Sequence, residues 1–207
     1  YLEGKFADKQ AKYQAYIEAT LSRAGVPDPA RSAANIYALE LAIARVHWDP
    51  AKRRNRDLTY NLKSIEQLEA FAPAAPWRAM LAAAGLNLQS EVIVREDDAV
   101  QKTAAIVAAT PVQTLRDYLG FHLINANADV LPSVYDEANF AFYGTELRGA
   151  PKQKERWKRA AAAVDASLGE AVGKIYVDEY FPATSKARMT ALVSNLRAAL
   201  GGRLETL

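Results

Sequence analysis

Apolar residues recur along most of this chain every three or four positions, the period that gathers them on one side of an α-helix. Residues 5–24 carry Phe6, Tyr13, Ile17 and Leu21 mostly at that spacing. Gly25 supplies a C-terminal stop, and Pro27 and Pro29 prevent continuation. Asp28 before Pro29 pairs a capping carboxylate with a first-turn proline. A second helix is therefore expected over 29–48, with Ile36, Leu39, Ile43 and Val46 as its stripe and Tyr37 and Leu41 widening it. Asp49-Pro50 breaks the period, and Ala51 to Leu62 (AKRRNRDLTYNL) reads as a loop. Ser64-Ile65-Glu66-Gln67 is a capping-box pattern that predicts a short helix over 64–71. Pro76 starts another short helix, which Gly85 ends. Glu91–Arg95 (EVIVR) is the only strand-like run, short enough to be either a connector or part of a sheet.

The second half continues in helices. Asp97 and Asp98 favour a helix start through the macrodipole, and the helix should reach about Thr110. Pro111 begins a longer one through Leu115, Tyr118, Leu119, Leu123 and Ile124. Leu131-Pro132 interrupts, Ser133–Phe142 resumes as helix, and Tyr143–Pro151 has the glycines and proline of a loop. Arg156 to Pro182 reads as one long amphipathic helix ended by Phe181-Pro182. Trp157, Val164, Leu168, Val172 and Ile175 follow at intervals of seven, four, four and three, on one face. Gly169 and Gly173 share a face, and each costs about 1 kcal/mol against alanine, so another backbone is expected close by. A last helix over 184–200 should turn Met189, Val193, Leu196 and Leu200 inward, with Gly201-Gly202 closing it. The fold class is all-α: a multi-helix domain with at most one short extended segment near 91–95, residues 1–207 forming a single helical domain or fragment.

Composition narrows the function classes. The 207 residues suffice for one large domain or two small ones, with a sizeable core. A net charge of +2 gives no argument for nucleic acid or an acidic membrane surface as partner. The clusters Lys52, Arg53, Arg54, Arg56 and Lys152, Lys154, Arg156, Lys158, Arg159 read as solvated faces. The chain has no cysteine, which excludes disulfides and thiolate metal sites. No apolar run approaches the ~20 residues that span a bilayer. The first residue is Tyr1 rather than Met, which leads to the expectation of a piece of a longer or processed polypeptide.

The chemistry-bearing residues are few. His47 and His122 are the only histidines, and no His-Glu-x-x-His occurs. Each histidine reads as a satisfied structural residue. No cysteine nucleophile, Gly-x-Ser-x-Gly elbow or phosphate loop is present. Asp97-Asp98, Asp136-Glu137 and Asp178-Glu179 are adjacent pairs, which on a helix do not face each other, so they read as helix-start charge or surface. The cluster Asn139-Phe140-Ala141-Phe142-Tyr143 reads as core, and Asn125 and Asn127 as local hydrogen-bonding residues. No catalytic or metal residue is assigned, and no substrate-binding residue is identified.

Four stretches, in order, resemble the N-terminal-side region of the neprilysin and endothelin-converting-enzyme zinc metalloendopeptidases: Glu40 to Asn61 (ELAIARVHWDPAKRRNRDLTYN), Pro76–Leu86 (PWRAMLAAAGL), Tyr118 to Gly144, and Arg156 to Pro182. The last is the strongest, with Trp157, Gly169, Ala171-Val172-Gly173 and Tyr176-Val177 in the family's order. Ala160 stands where animal members carry a disulfide cysteine, as in bacterial members. The resemblance implies a helical, chamber-forming portion of a peptide-hydrolysing enzyme, inactive alone because the zinc-binding motifs lie elsewhere. It further implies no cofactor in this chain and zinc in the full-length parent. The expected partners are the catalytic domain of the same polypeptide and peptide substrates, in an extracytoplasmic, bacterial setting. The alternative is a stand-alone helical binding or scaffolding module. A third reading is an unrelated helical enzyme using His47 or His122.

Overall fold

The computed structural model describes residues 4–206; Tyr1 and Leu207, on which the terminal readings rest, lie outside them. The chain divides into two compact units, Tyr1–Pro151 and Lys152–Leu207. Both are helical, in keeping with the all-α expectation.

In the first unit a short 3₁₀ turn leads into α1 (Ala7–Arg23). Gly25 takes the left-handed conformation at φ +78° that stops it, with the Val26 amide reaching back to the Leu21 carbonyl at 3.0 Å. The Asp28 carboxylate caps α2 (Pro29–Val46) by accepting from the Arg31 amide at 3.2 Å. Both helices bury the stripes their spacing announces: Ile17 and Leu21 on α1, and Ile36 and Leu39 on α2.

The segment after α2 is more ordered than a loop reading implies. The Asn55 side chain accepts from the Asp57 and Leu58 amides at 3.0 and 3.2 Å, and Thr59 is buried with its hydroxyl on the Asn55 carbonyl. The Asn61 side chain donates to the Leu58 and Val94 carbonyls, so the segment enters β1 (Leu62–Ser64) already aligned. That strand pairs antiparallel with β2 (Glu91–Ile93), Leu62 opposite Ile93. The extended run is therefore half of a two-stranded ribbon. Its partner carries no strand signal because only Leu62 marks it as apolar.

Between the strands, Ser64 and Gln67 form the expected capping box of α3 (Ile65–Phe71). α4 (Trp77–Ala83) is held to it by Arg78, which reaches Glu66 at 2.7 Å and Glu69 at 3.2 Å. That guanidinium holds the Glu66 carboxyl down at about 2. α5 (Asp97–Ala109) and α6 (Val112–Ala126) follow. α6 runs through Leu119 and Leu123 as expected, but these are 65% and 68% exposed, and Phe121 between them is buried.

α7 (Ser133–Asn139) does not end at Phe142. It widens into a π-helical segment, Phe140–Glu146, so part of the expected loop is helical. The cause is local. The Phe140 ring lies over Gly144, where any Cβ would overlap it. The wider turn turns Phe142 inward, onto Tyr13 and Tyr16 of α1, both with centroids at 5.3 Å. Phe121 meets Tyr16 edge-on at 5.9 Å, closing a core with Ile17, Leu21, Ala33 and Ile36.

The second unit consists of α8 (Arg156–Tyr180) and α9 (Ala183–Leu204), turning at Phe181-Pro182. Three expectations fail here. α8 is interrupted at Leu168, whose φ of −128° and ψ of 19° are not helical, so the single apolar face is split there. A Cβ at Gly173 would meet nothing within 4 Å, and at Gly169 only the Asp165 side chain, so no second backbone packs at the glycines among the described residues. Met189, Val193, Leu196 and Leu200 are each half exposed or more, and α9 runs through Gly201-Gly202 to Leu204.

Substituting Gly144 by Ala should destabilise the fold by about 1–3 kcal/mol, because the added methyl must displace the Phe140 ring. Gly120→Ala, in the middle of α6 where a methyl meets nothing, should stabilise it by about 0.5–1 kcal/mol. Denaturant midpoints of the two variants test this, and equal shifts would refute the π-turn account.

Candidate functional site

Glu40 is an acid on the apolar stripe of α2, one turn after Ile36, and the first unit is built around it. Its Oε1 accepts from the Tyr13 hydroxyl of α1 at 3.0 Å and faces Nε2 of His122 on α6 at 2.8 Å. The side chain is only 12% exposed. A carboxylate so desolvated needs these partners, since a lost one leaves a buried acceptor unmet. The His122 ring is fixed on its other sides by edge contacts with Tyr118 at 4.4 Å and Phe121 at 5.1 Å.

A second polar node lies beside the aromatic stack. Tyr16 donates to the Asn125 side-chain oxygen at 2.8 Å, and the Asn139 amide nitrogen donates to the same oxygen at 3.0 Å. Burial pushes the Tyr16 and Tyr143 hydroxyls up from the usual phenol range, so both act as neutral groups. Asn125 therefore binds across three helical elements, whereas Asn127 is local, donating to the Leu123 carbonyl at 2.7 Å. The aromatic run 139–143 is core at Phe142, as expected. A cavity of about 230 Å³ opens next to Glu40, lined by Lys9, Tyr13, Tyr37 and Tyr143 among others. Its polar groups are those that already hold the helices together.

His47 is elsewhere, exposed at the end of α2, on the rim of an apolar groove of about 750 Å³ that Trp77, Met80, Thr103, Val107 and Leu115 also line. The carboxylate pairs do not act as pairs. Asp97 accepts the Asp98 amide at 2.8 Å, while Asp98 takes Lys102 at 2.6 Å and the Trp48 indole N–H. The Lys102 ammonium, the Trp48 bond and the more distant Lys52 hold the Asp98 carboxyl down at about 2. Lys52 also lies 3.6 Å over the Trp48 ring. Asp178 and Glu179 are exposed.

The donors do not fit a metal. His122 has one carboxylate, His47 is not in its neighbourhood, and no group of three or more His, Asp or Glu side chains able to hold an ion exists among the described residues. No helix among them is long and apolar enough to cross a membrane. What sequence reasoning missed is Glu40 as a hub and the tie from Trp48 to Asp98. The first had a signal, an acid within an apolar stripe; the second had none, because it depends on how the loop after α2 folds back onto α5.

A multi-helix fold with polar nodes satisfied between its helices is the class this geometry defines. Residues 1–207 match the N-terminal part of Peptidase family M13 end to end, and the chain belongs to that family of neprilysin-like zinc metallopeptidases. It is 26% identical over 202 residues to human endothelin-converting enzyme-like 1, covering 95% of this chain and 26% of that protein. Neprilysin-2 of Drosophila melanogaster is 28% identical over 174 residues, 76% of this chain and 22% of its own length. The zinc metalloprotease Zmp1 of Mycobacterium tuberculosis, solved in an open state, superposes with a TM-score of 0.83 at 34% identity, covering 96% of this chain and 32% of that one. The same protein in complex with an inhibitor gives 0.81 at 33% identity, covering 96% of this chain and 31% of that one. The chain thus spans about a quarter of the length of the curated relatives it matches.

Glu40→Ala should cost about 1–3 kcal/mol in denaturant unfolding, from the stranded Tyr13 and His122 donors. Combined with Tyr13→Phe, the loss should fall short of the sum of the two; strict additivity would contradict the hub. The depressed Asp98 carboxyl contributes stability above its ordinary value, and that contribution is lost as the pH falls through about 2. Asp98→Asn should therefore lose less stability than the parent between roughly pH 5 and roughly pH 2. Equal losses would remove Asp98 from the acid response.

Proposed function

We propose that residues 1–207 form the helical, non-catalytic, chamber-forming part of a zinc-dependent metalloendopeptidase. On this reading zinc, the activated water and the glutamate base belong to a catalytic domain elsewhere in the same polypeptide, and peptides are its substrates. The observation that carries the reading is the asymmetry of coverage: relatives match nearly the whole chain, while the chain fills only 26% of human endothelin-converting enzyme-like 1 and 32% of Zmp1. The exposed apolar residues of α8 and α9 agree with it, as surface that the rest of the polypeptide covers. By the same resemblance, the setting is extracytoplasmic and bacterial.

The purified 207-residue chain should bind no stoichiometric zinc and cleave no peptide, while the complete polypeptide carrying it should do both and lose hydrolysis to a chelator. Zinc analysis with a quenched fluorescent peptide library checks this. Chelator-sensitive hydrolysis by the 207-residue chain alone would overturn the assignment.

A further inference from the structure

The arginines of the basic run after α2 are exposed, and the run lies on a braced backbone. Asn55 and Thr59 fix its backbone, and Asn61 with the Val94 amide ties it to the end of β2. The consequence is convergence. Arg53, Arg54 and Arg56 from the loop and Arg95 from beyond β2 line one open recess of about 1000 Å³, together with Asp57, Thr59, Tyr60 and Ile93. Arg53 is engaged with Glu96 at 2.8 Å. The side chains of Arg54, Arg56 and Arg95 have no hydrogen-bond or ion-pair partner among the described residues, and Asp57 is the only acid in the lining. Tyr60 and Ile93 are 63% and 50% exposed at the same place.

We propose that this recess binds a peptide segment carrying clustered carboxylates. Guanidinium groups present paired N–H donors that match a carboxylate, and they are less strongly hydrated than ammonium groups. Their backbone is braced before the ligand arrives, so binding has to order the guanidinium side chains but not the loop that carries them. The aromatic and aliphatic flank favours a peptide over a bare anion, because Tyr60 and Ile93 give apolar contact to residues between the acids. Nucleic acid fits less well, because the net charge is only +2. The choice of a peptide as ligand rests on the peptidase reading, but the site is distinct from any chemistry and its occupation is read without hydrolysis.

The test is fluorescence anisotropy on the complete polypeptide, with a chelator present so that the probe is not consumed. The probes are a short labelled peptide with a run of glutamates, its glutamine counterpart, and a labelled single-stranded oligonucleotide. The glutamate peptide should bind at least several-fold more tightly than the other two and weaken as salt rises. The triple variant Arg54→Gln, Arg56→Gln, Arg95→Gln should weaken it roughly ten-fold or more, since one exposed guanidinium–carboxylate pair is worth about two- to five-fold. Lys152→Gln with Lys154→Gln should leave it unchanged. Equal binding of the glutamate and glutamine peptides, tighter binding of the oligonucleotide, or full affinity in the triple variant would overturn the proposal. The glutamate–glutamine comparison holds on the unaltered protein, whatever the variant's stability. A polypeptide that hydrolyses peptides but shows no glutamate preference refutes this site and leaves the peptidase assignment standing.

Discussion

The contact on which the first unit depends is the seating of Phe142 against Tyr13 and Tyr16. It joins the first helix to a segment more than a hundred residues later. Phe142 takes that position on a helix that has widened into a π-turn, and within the turn Gly144 leaves the space that the Phe140 ring fills. The same stack places Tyr13 and Tyr16 so that their hydroxyls serve Glu40 and Asn125. Packing and polar satisfaction are therefore one arrangement. If the ring were displaced, two half-buried acceptors would each lose one of their donors as well.

The two units follow different rules. The first closes on itself, with fully buried Ile17, Ile36 and Phe121 at its centre. The second has the helical length and apolar content of a core element but buries none of its residues. Its apolar side chains, from Trp157 to Leu204, are surface within these residues. Such a surface is larger than a free-standing unit usually leaves open. The chain matches a quarter to a third of its relatives' length.

Elements with local causes were legible in the sequence. The Asp28 cap, the Ser64–Gln67 capping box and the Gly25 stop each depend on residues a few positions apart, and each is found where the pattern puts it. What escaped depended on distant partners. Leu62–Ser64 becomes a strand only because Glu91–Ile93 lies beside it. The period on α6 correctly marked a helix but did not single out Phe121, which is buried in it. The Leu168 break and the open space at Gly173 show a different failure. Two glycines in a helix read as a close-packing notch, yet nothing among the described residues fills it. For the candidate site, His122 could be read as structural on its own, whereas His47 is exposed and, among the described residues, without a partner that would make it so. The Glu40 hub could not be read, because its donors come from α1 and α6.

Amide hydrogen exchange across residues 156–204, compared between the 207-residue chain and the complete polypeptide, tests the central claim most directly. If α8 and α9 are surfaces made to be covered by the rest of a peptidase, their exchange should slow markedly in the complete polypeptide, while the protection around Phe121 and Ile36 stays the same. Identical exchange of 156–204 in both would contradict the account and leave a self-sufficient helical module.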